Sequence, residues 1–196
     1  IPQGDRFVRA GDWERGPMPL ARKVSGARLG LVGMGRIGQA IAERAAAFGM
    51  SIAYTARTPR QGLAYRYLPT PQALAAEVDF LVVITPGGAA TRGLIDAAVL
   101  RALGPQGYLV NVSRGSVVDQ PALVAALRAG AIAGAALDVF ADEPHVPAEL
   151  REMPQVVLTP HIGSGTRQTR EAMGQLVLDN LQAHFAGQPL LTPVAA

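Results

Sequence analysis

Three glycines, Gly33, Gly35 and Gly38, stand in the spacing G-x-G-x-x-G between an apolar run at 29–32 and a helical pattern. Each answers a mechanical need: a tight turn off a strand at Gly33, backbone without a Cβ at Gly35, and close packing of helix on strand at Gly38. A helix that starts there offers unpaired N–H groups and the positive end of its dipole, and a pyrophosphate suits that geometry. Arg36 and Ile37 begin the helix and are expected to contact the same ligand. The helix is expected over 36–48, with Ile37, Ile41, Ala45 and Phe48 on its apolar face and Gly49 as its stop.

A second group of residues follows other apolar runs. The run at 51–55 leads into Ala56-Arg57-Thr58-Pro59-Arg60, and no Asp or Glu occurs between Glu43 and Glu77. A carboxylate about 20 residues past the glycines would bind a ribose 2′-OH, whereas a guanidinium binds a 2′-phosphate with its fork of donors. Arg57, supported by Thr58 and Arg60, therefore argues for NADP(H) over NAD(H), with NAD(H) still possible. Asn111-Val112-Ser113-Arg114-Gly115 follows the run at 108–112. Asp138, Asp142 and Glu143 follow the run at 134–139, and His161 follows the run at 156–159. A cation, a carboxylate and an imidazole are thus delivered to one rim, a combination suited to proton transfer on a bound anion.

The elements that must position these groups alternate strand and helix, the mark of a parallel sheet with crossover helices. Strands are expected at 29–32, 51–55, 79–85, 108–112, 134–139 and 156–159, about six in all. Helices are expected at 36–48, 73–77 and 91–103, from 118 to before Gly130, and over 166–185. Met173, Leu176, Val177 and Leu181 share one face of the last helix. The expected fold is a Rossmann-type, doubly wound parallel sheet in three α/β/α layers, whose ligands bind beyond the C-terminal strand ends. Residues 1–27, rich in Gly and Pro, read as an extended arm or linker with Trp13 as a possible anchor; residues 28–186 read as the nucleotide-binding domain and 187–196 as a tail.

Composition narrows the class. The 196 residues are 49% hydrophobic and 17% charged, as expected of a soluble globular domain with a substantial core. No apolar run is long enough to span a bilayer, and no membrane role is expected. Cysteine is absent, which removes disulfides and thiolate metal sites; a cytoplasmic location is expected and no metal site. The net charge of +3 comes from arginines scattered along the chain with Lys23 as the single lysine, not from a basic patch, so no nucleic-acid partner is expected.

The stretches LGLVGMGRIGQAIAERAAAFGM, DFLVVITP, YLVNVSRGSVVDQPALVAAL, GAIAGAALDVFADEP and VVLTPHIGS resemble the cofactor-binding domain of the D-isomer-specific 2-hydroxyacid dehydrogenases, most of all their glyoxylate/hydroxypyruvate reductase branch. The resemblance runs from about residue 28 to 193 and implies a catalytic set of Arg114, Glu143 and His161. Arg114 would hold a 2-keto acid's carboxylate and polarise its carbonyl. His161 would be the general acid, and Glu143 would orient its ring and favour its protonated form. The resemblance also implies that Thr85, Pro86, Ser113, Asp138 and Gly163 line the cofactor, and that a homodimer forms through the cofactor domain, using the arm and the loop after Phe140. The family's second lobe, roughly 100 residues ahead of the arm, is not recognised in the chain, so the domain alone is expected to bind cofactor but turn over poorly. Family relatives also include nucleotide-sensing corepressors on the same fold, so the resemblance carries a binding protein as the alternative reading.

Overall fold

The computed structural model describes residues 1–194. They form two compact units, the first from Ile1 to His161 and the second from Ile162 onward. The first unit is built on β1 (Arg28–Val32), β2 (Ser51–Thr55), β3 (Arg66–Tyr67), β4 (Phe80–Val83), β5 (Tyr108–Asn111), β6 (Gly134–Leu137) and β7 (Val156–Leu158). All pairs are parallel, in the order β3-β2-β1-β4-β5-β6-β7. The chain winds outward from β1 to β3, then crosses over to β4 and winds the other way. The order therefore reverses between β1 and β4, which is where such sheets open a crevice at the C-terminal strand ends. The doubly wound sheet expected from the sequence is the observed fold.

Alternation along the central strands divides the core in two. In β4, Leu81 and Val83 enter one apolar cluster with Leu74, Leu100, Leu109 and Leu123, while Val82 joins Leu31, Met34, Ala42 and Tyr54 in the other. Successive strand side chains point to opposite faces, so a strand covered on both faces must be apolar throughout. Burying Leu81 completely contributes about 1.5–3 kcal/mol.

The helices are α1 (Pro2–Arg9), α2 (Arg36–Ala46), α3 (Pro71–Ala75), α4 (Ala97–Leu103), α5 (Gln120–Arg128), α6 (Ala148–Glu152) and α7 (Arg167–Phe185). Their starts follow local chemistry. The side chains of Thr70, Asp96, Asp119 and Thr166 accept N–H groups of the first turns of α3, α4, α5 and α7, and Pro71 and Pro121 occupy first-turn positions.

Several expectations need correction. The segment 1–27 is not simply extended, because α1 and a 3₁₀ turn over Asp12–Arg15 form within it. Among the described residues there are seven strands rather than about six: β3 has two residues, too few for any alternation to register. The short α6 was likewise missed, and α4 is preceded by a separate 3₁₀ turn over Ala89–Thr91 instead of reaching back to residue 91. On α2 the buried face is Gly38, Ala42 and Ala45, while Ile37 and Phe48 are exposed. Small residues face the sheet there because the helix lies close to it. In the second unit α7 buries only Ala183, and Met173, Leu176, Val177 and Leu181 are all exposed. Asn180 on α7 exchanges side-chain hydrogen bonds with Thr192, which ties the following segment back along the helix; the last two residues of the expected tail lie outside the described residues.

At the N-terminal end of the sheet, buried Asp79 holds the segment before β1 to β4. It accepts from the Arg28 backbone N–H at 2.8 Å and guanidinium at 2.5 Å, and pairs with Arg22 at 2.7 Å. These contacts border a cavity of about 550 Å³ at the end opposite the glycine turn. The Arg28 hydrogen bond, supported by its charge and that of Arg22, holds the Asp79 carboxyl below the usual carboxylate range. A depressed folded-state value means that the carboxylate's stabilising effect is full above the unfolded-state value and fades as pH falls through the folded one. Replacing Asp79 with Asn is expected to cost about 1–3 kcal/mol at neutral pH, discounted because Arg28 is half exposed. In denaturant titrations at several pH values, the gap between wild type and Asp79→Asn should close as pH drops below the carboxylate range. A gap that is constant with pH would contradict this account.

Candidate functional site

The glycine turn sits where strand order reverses. Gly33 has φ +110°, and a Cβ there would lie 2.7 Å from the Ile84 carbonyl oxygen, so backbone conformation and the neighbouring turn both require glycine. A Cβ at Gly38 would lie 2.5 Å from the Gly33 oxygen, which seats α2 directly on the turn. Gly35 differs: a Cβ there would meet nothing within 4 Å. It caps α2 without any side-chain hydrogen bond. Packing therefore explains two of the three glycines, and the third leaves open the ground in front of a helix N-terminus.

Beside this turn lies a cavity of about 790 Å³. Its walls come from the start of α2 (Ile37) and the segments after β4 (Thr85, Pro86), β5 (Ser113, Arg114) and β6 (Phe140, Glu143). The Arg114 stem lies over Gly87, where a Cβ would approach it to 2.8 Å. Its Nη1 donates to the Ser113 carbonyl at 2.6 Å. Gly115 backs against the Phe140 carbonyl, 1.9 Å from where a Cβ would stand, so the segments after β5 and β6 pack backbone to backbone.

Glu143 and His161 come together across 18 residues of sequence. His161 Nδ1 lies 2.7 Å from Glu143 Oε2, while Glu143 Oε1 accepts the Phe140 N–H at 2.9 Å. The His161 hydrogen bond first, then the Phe140 N–H, and the nearby charges of His161 and Arg114 hold the Glu143 carboxyl below its usual value. An ionised carboxylate only accepts, so Nδ1 carries the hydrogen and Nε2 is the ring nitrogen facing other work. His161 has φ +49°, alone among the described non-glycine residues in the left-handed region. Its N–H donates to the carbonyls of Asp138 and Thr159. Strained backbone at a polar rim is where function is commonly found.

The other sequence-flagged residues fall as follows. Arg57, Thr58 and Arg60 are exposed on the segment after β2, whose path is fixed by buried Tyr54, its Oη accepting the Arg60 N–H at 2.7 Å. Asp138 follows β6 and its carboxylate accepts from Thr159 Oγ1 at 2.5 Å. Gly163 belongs to the second unit. Among the described residues no group of His, Asp and Glu suited to a metal ion occurs, and no helix is long and apolar enough to cross a membrane. Sequence reasoning missed Thr159, Gly87 and Gln120, whose Oε1 accepts the Ala141 N–H from α5 at 3.3 Å. No local pattern marks these residues, because each contact joins segments far apart in the chain.

Fold and glycine turn together define a nucleotide-binding domain of Rossmann type, and comparison with known proteins makes this more specific. Residues 1–163 match the family described as D-isomer specific 2-hydroxyacid dehydrogenase, NAD binding domain, and the chain belongs to that family. It is 52% identical over 190 residues to glyoxylate/hydroxypyruvate reductase A HPR2 of Arabidopsis thaliana, covering 97% of this chain and 61% of the relative. It is 49% identical over 194 residues to hydroxyphenylpyruvate reductase of Plectranthus scutellarioides, covering 99% and 62%. Among solved structures, the NADPH-dependent glyoxylate/hydroxypyruvate reductase SmGhrB of Sinorhizobium meliloti, in complex with NADP and malonate, superimposes with a TM-score of 0.93 at 53% identity, covering 99% of this chain and 61% of that one. The chain thus spans about three fifths of the length of these relatives.

Proposed function

We propose that this domain binds NADP(H) and that the protein carrying it reduces a small 2-keto acid, of the glyoxylate or hydroxypyruvate kind, to the D-2-hydroxy acid. The observation that carries the reading is the 2.7 Å pairing of His161 with Glu143, made by a residue lining the same cavity as Arg114. The glycine turn fits a dinucleotide: Gly35 leaves the approach to α2 open where packing asks for nothing. Gly33, Gly35, Arg36, Ile37 and Gly38 would hold the pyrophosphate, with Arg57 and Thr58 on the 2′-phosphate. Thr85, Pro86, Ser113, Asp138 and Gly163 would lie toward the nicotinamide, which when bound supplies the hydride.

Arg114 is suited to grip the keto acid's carboxylate and to draw charge onto its carbonyl oxygen. His161 Nε2 is suited to give that oxygen a proton, because ionised Glu143 holds Nδ1 in its protonated form and fixes the ring. In the reverse direction the neutral ring takes the proton back. A homodimer formed through the arm at 1–27 and the segment after Phe140 belongs to the same reading, with exposed Trp13 in the arm. The names of the relatives support the substrate class: one reduces glyoxylate and hydroxypyruvate, another hydroxyphenylpyruvate.

The full-length protein is expected to oxidise NADPH when given hydroxypyruvate or glyoxylate, followed by the loss of nicotinamide absorbance. Absence of turnover with every 2-keto acid tried, in protein that binds NADPH, would overturn the assignment.

A further inference from the structure

Asn111 ends β5 and is 1% exposed, which is unusual for an amide side chain. Its Oδ1 accepts the Ser113 N–H and its Nδ2 donates to the Arg114 carbonyl, each at 3.1 Å. Its own backbone carbonyl accepts the Asp138 N–H at 3.0 Å. One residue therefore closes the turn that presents Arg114 and ties that turn to the end of β6. The strand fixes Asn111 from both sides, through register with Val83 on β4 and Leu137 on β6. The Ser113 Oγ contact to the Arg114 N–H at 2.5 Å, the Arg114 Nη1 bond to the Ser113 carbonyl, the Val117 N–H on the Arg114 carbonyl and the packing of Gly115 on Phe140 complete the turn, and the Asn111 side chain joins both Ser113 and Arg114 to the end of β5.

We propose that Asn111 is a positioning residue for the reaction: its side-chain amide bridges Ser113 and Arg114 and so aims the Arg114 guanidinium at the 2-keto acid. The inference rests on the reading of Arg114 given under Proposed function. An amide is the group the bridge requires, with one acceptor and one donor on a short stem in a buried place where an unmatched polar atom is costly. Aspartate has the same shape and supplies the acceptor, but its ionised form sets a negative oxygen against the Arg114 carbonyl. Protonated, it regains a donor. Gln is too long for the space and Leu satisfies neither partner.

The test compares full-length wild type, Asn111→Asp and Asn111→Ala with hydroxypyruvate, and measures NADPH affinity and thermal stability in parallel. In both variants kcat/KM for hydroxypyruvate is expected to fall by about 10- to 100-fold, since a misplacement of about 1 Å suffices for that. NADPH affinity should fall by less than kcat/KM does: the substitution touches Ser113 on the nicotinamide side, but the glycine turn and Arg57, which would hold the phosphates, lie after other strands. Relative to wild type at the same pH, Asn111→Asp should recover as pH falls, and Asn111→Ala should not. A structural contribution to stability alone would not give a substrate-specific loss that recovers with protonation. If Asn111→Asp does not accumulate as folded protein, Asn111→Ser is read for the same split between keto acid and NADPH. Unchanged kcat/KM, or losses in NADPH affinity that account for the whole effect, would overturn the proposal. Failure of the wild type to turn over any 2-keto acid would instead overturn the assignment beneath it.

Discussion

Substituting Gln for His161 is expected to lower kcat for 2-keto acid reduction by about 10²–10⁴ while leaving NADPH affinity within about threefold. Glutamine keeps a polar group of similar reach but cannot give up a proton to an alkoxide forming at the substrate oxygen. No neighbour can take over. Glu143, the nearest ionisable group, is held below its ordinary value by the His161 hydrogen bond, the Phe140 N–H and the Arg114 charge, so near neutrality it has no proton to give. Arg114 serves instead as the donor that holds the substrate's carboxylate. Single-turnover measurement of NADPH oxidation in the full-length protein separates the chemical step from release. A loss smaller than about tenfold would mean that the proton comes from solvent, and that the pairing with Glu143 serves the rim's structure rather than the reaction.

The strength of this expectation depends on a contact that the residues alone do not announce. The glycine turn is legible because its spacing is local: Gly33, Gly35 and Gly38 act within one turn and need only a strand before them and a helix after. The sheet is legible for a related reason, since a run such as Phe80–Val83 can be apolar at every position only when both faces are covered. Contacts made by register are not legible. Glu143 meets His161, and Thr159 meets Asp138, because β6 and β7 lie side by side with Leu137 opposite Leu158. Nothing in either segment says so, and the choice of Glu143 over Asp138 or Asp142 as the partner came through the family resemblance. On α2 the expected face holds in part: Ala45 is buried and Ile41 packs against the core, but Ile37 and Phe48 are exposed, because apolar periodicity marks large residues while the sheet selects small ones where a helix must come close. On α7 the helix was legible, but periodicity does not say what an apolar face is packed against.

Substituting Asp for Arg57 is expected to weaken NADPH binding by about 10²–10³ and to leave NADH binding equal or improved, so that the order of preference reverses. Losing charge-assisted hydrogen bonds to a phosphate costs about 1.5–3 kcal/mol, and placing a carboxylate beside the 2′-phosphate adds repulsion to that loss. The substitution isolates charge, because the course of the segment does not depend on the Arg57 side chain. Tyr54, 1% exposed, anchors the segment through the Arg60 N–H, and β2 is held by β1 on one side and β3 on the other. Arg57→Ala should fall between wild type and Arg57→Asp. Because Arg57 is exposed, the wild-type preference for NADPH should also shrink as salt rises, and the preference of Arg57→Asp for NADH should shrink with it. Equilibrium titration of both nucleotides into the three proteins at two ionic strengths tests all of these points. Equal affinities in the wild type, indifferent to salt, would reduce Arg57 to a solvated surface charge and return the domain to NAD(H).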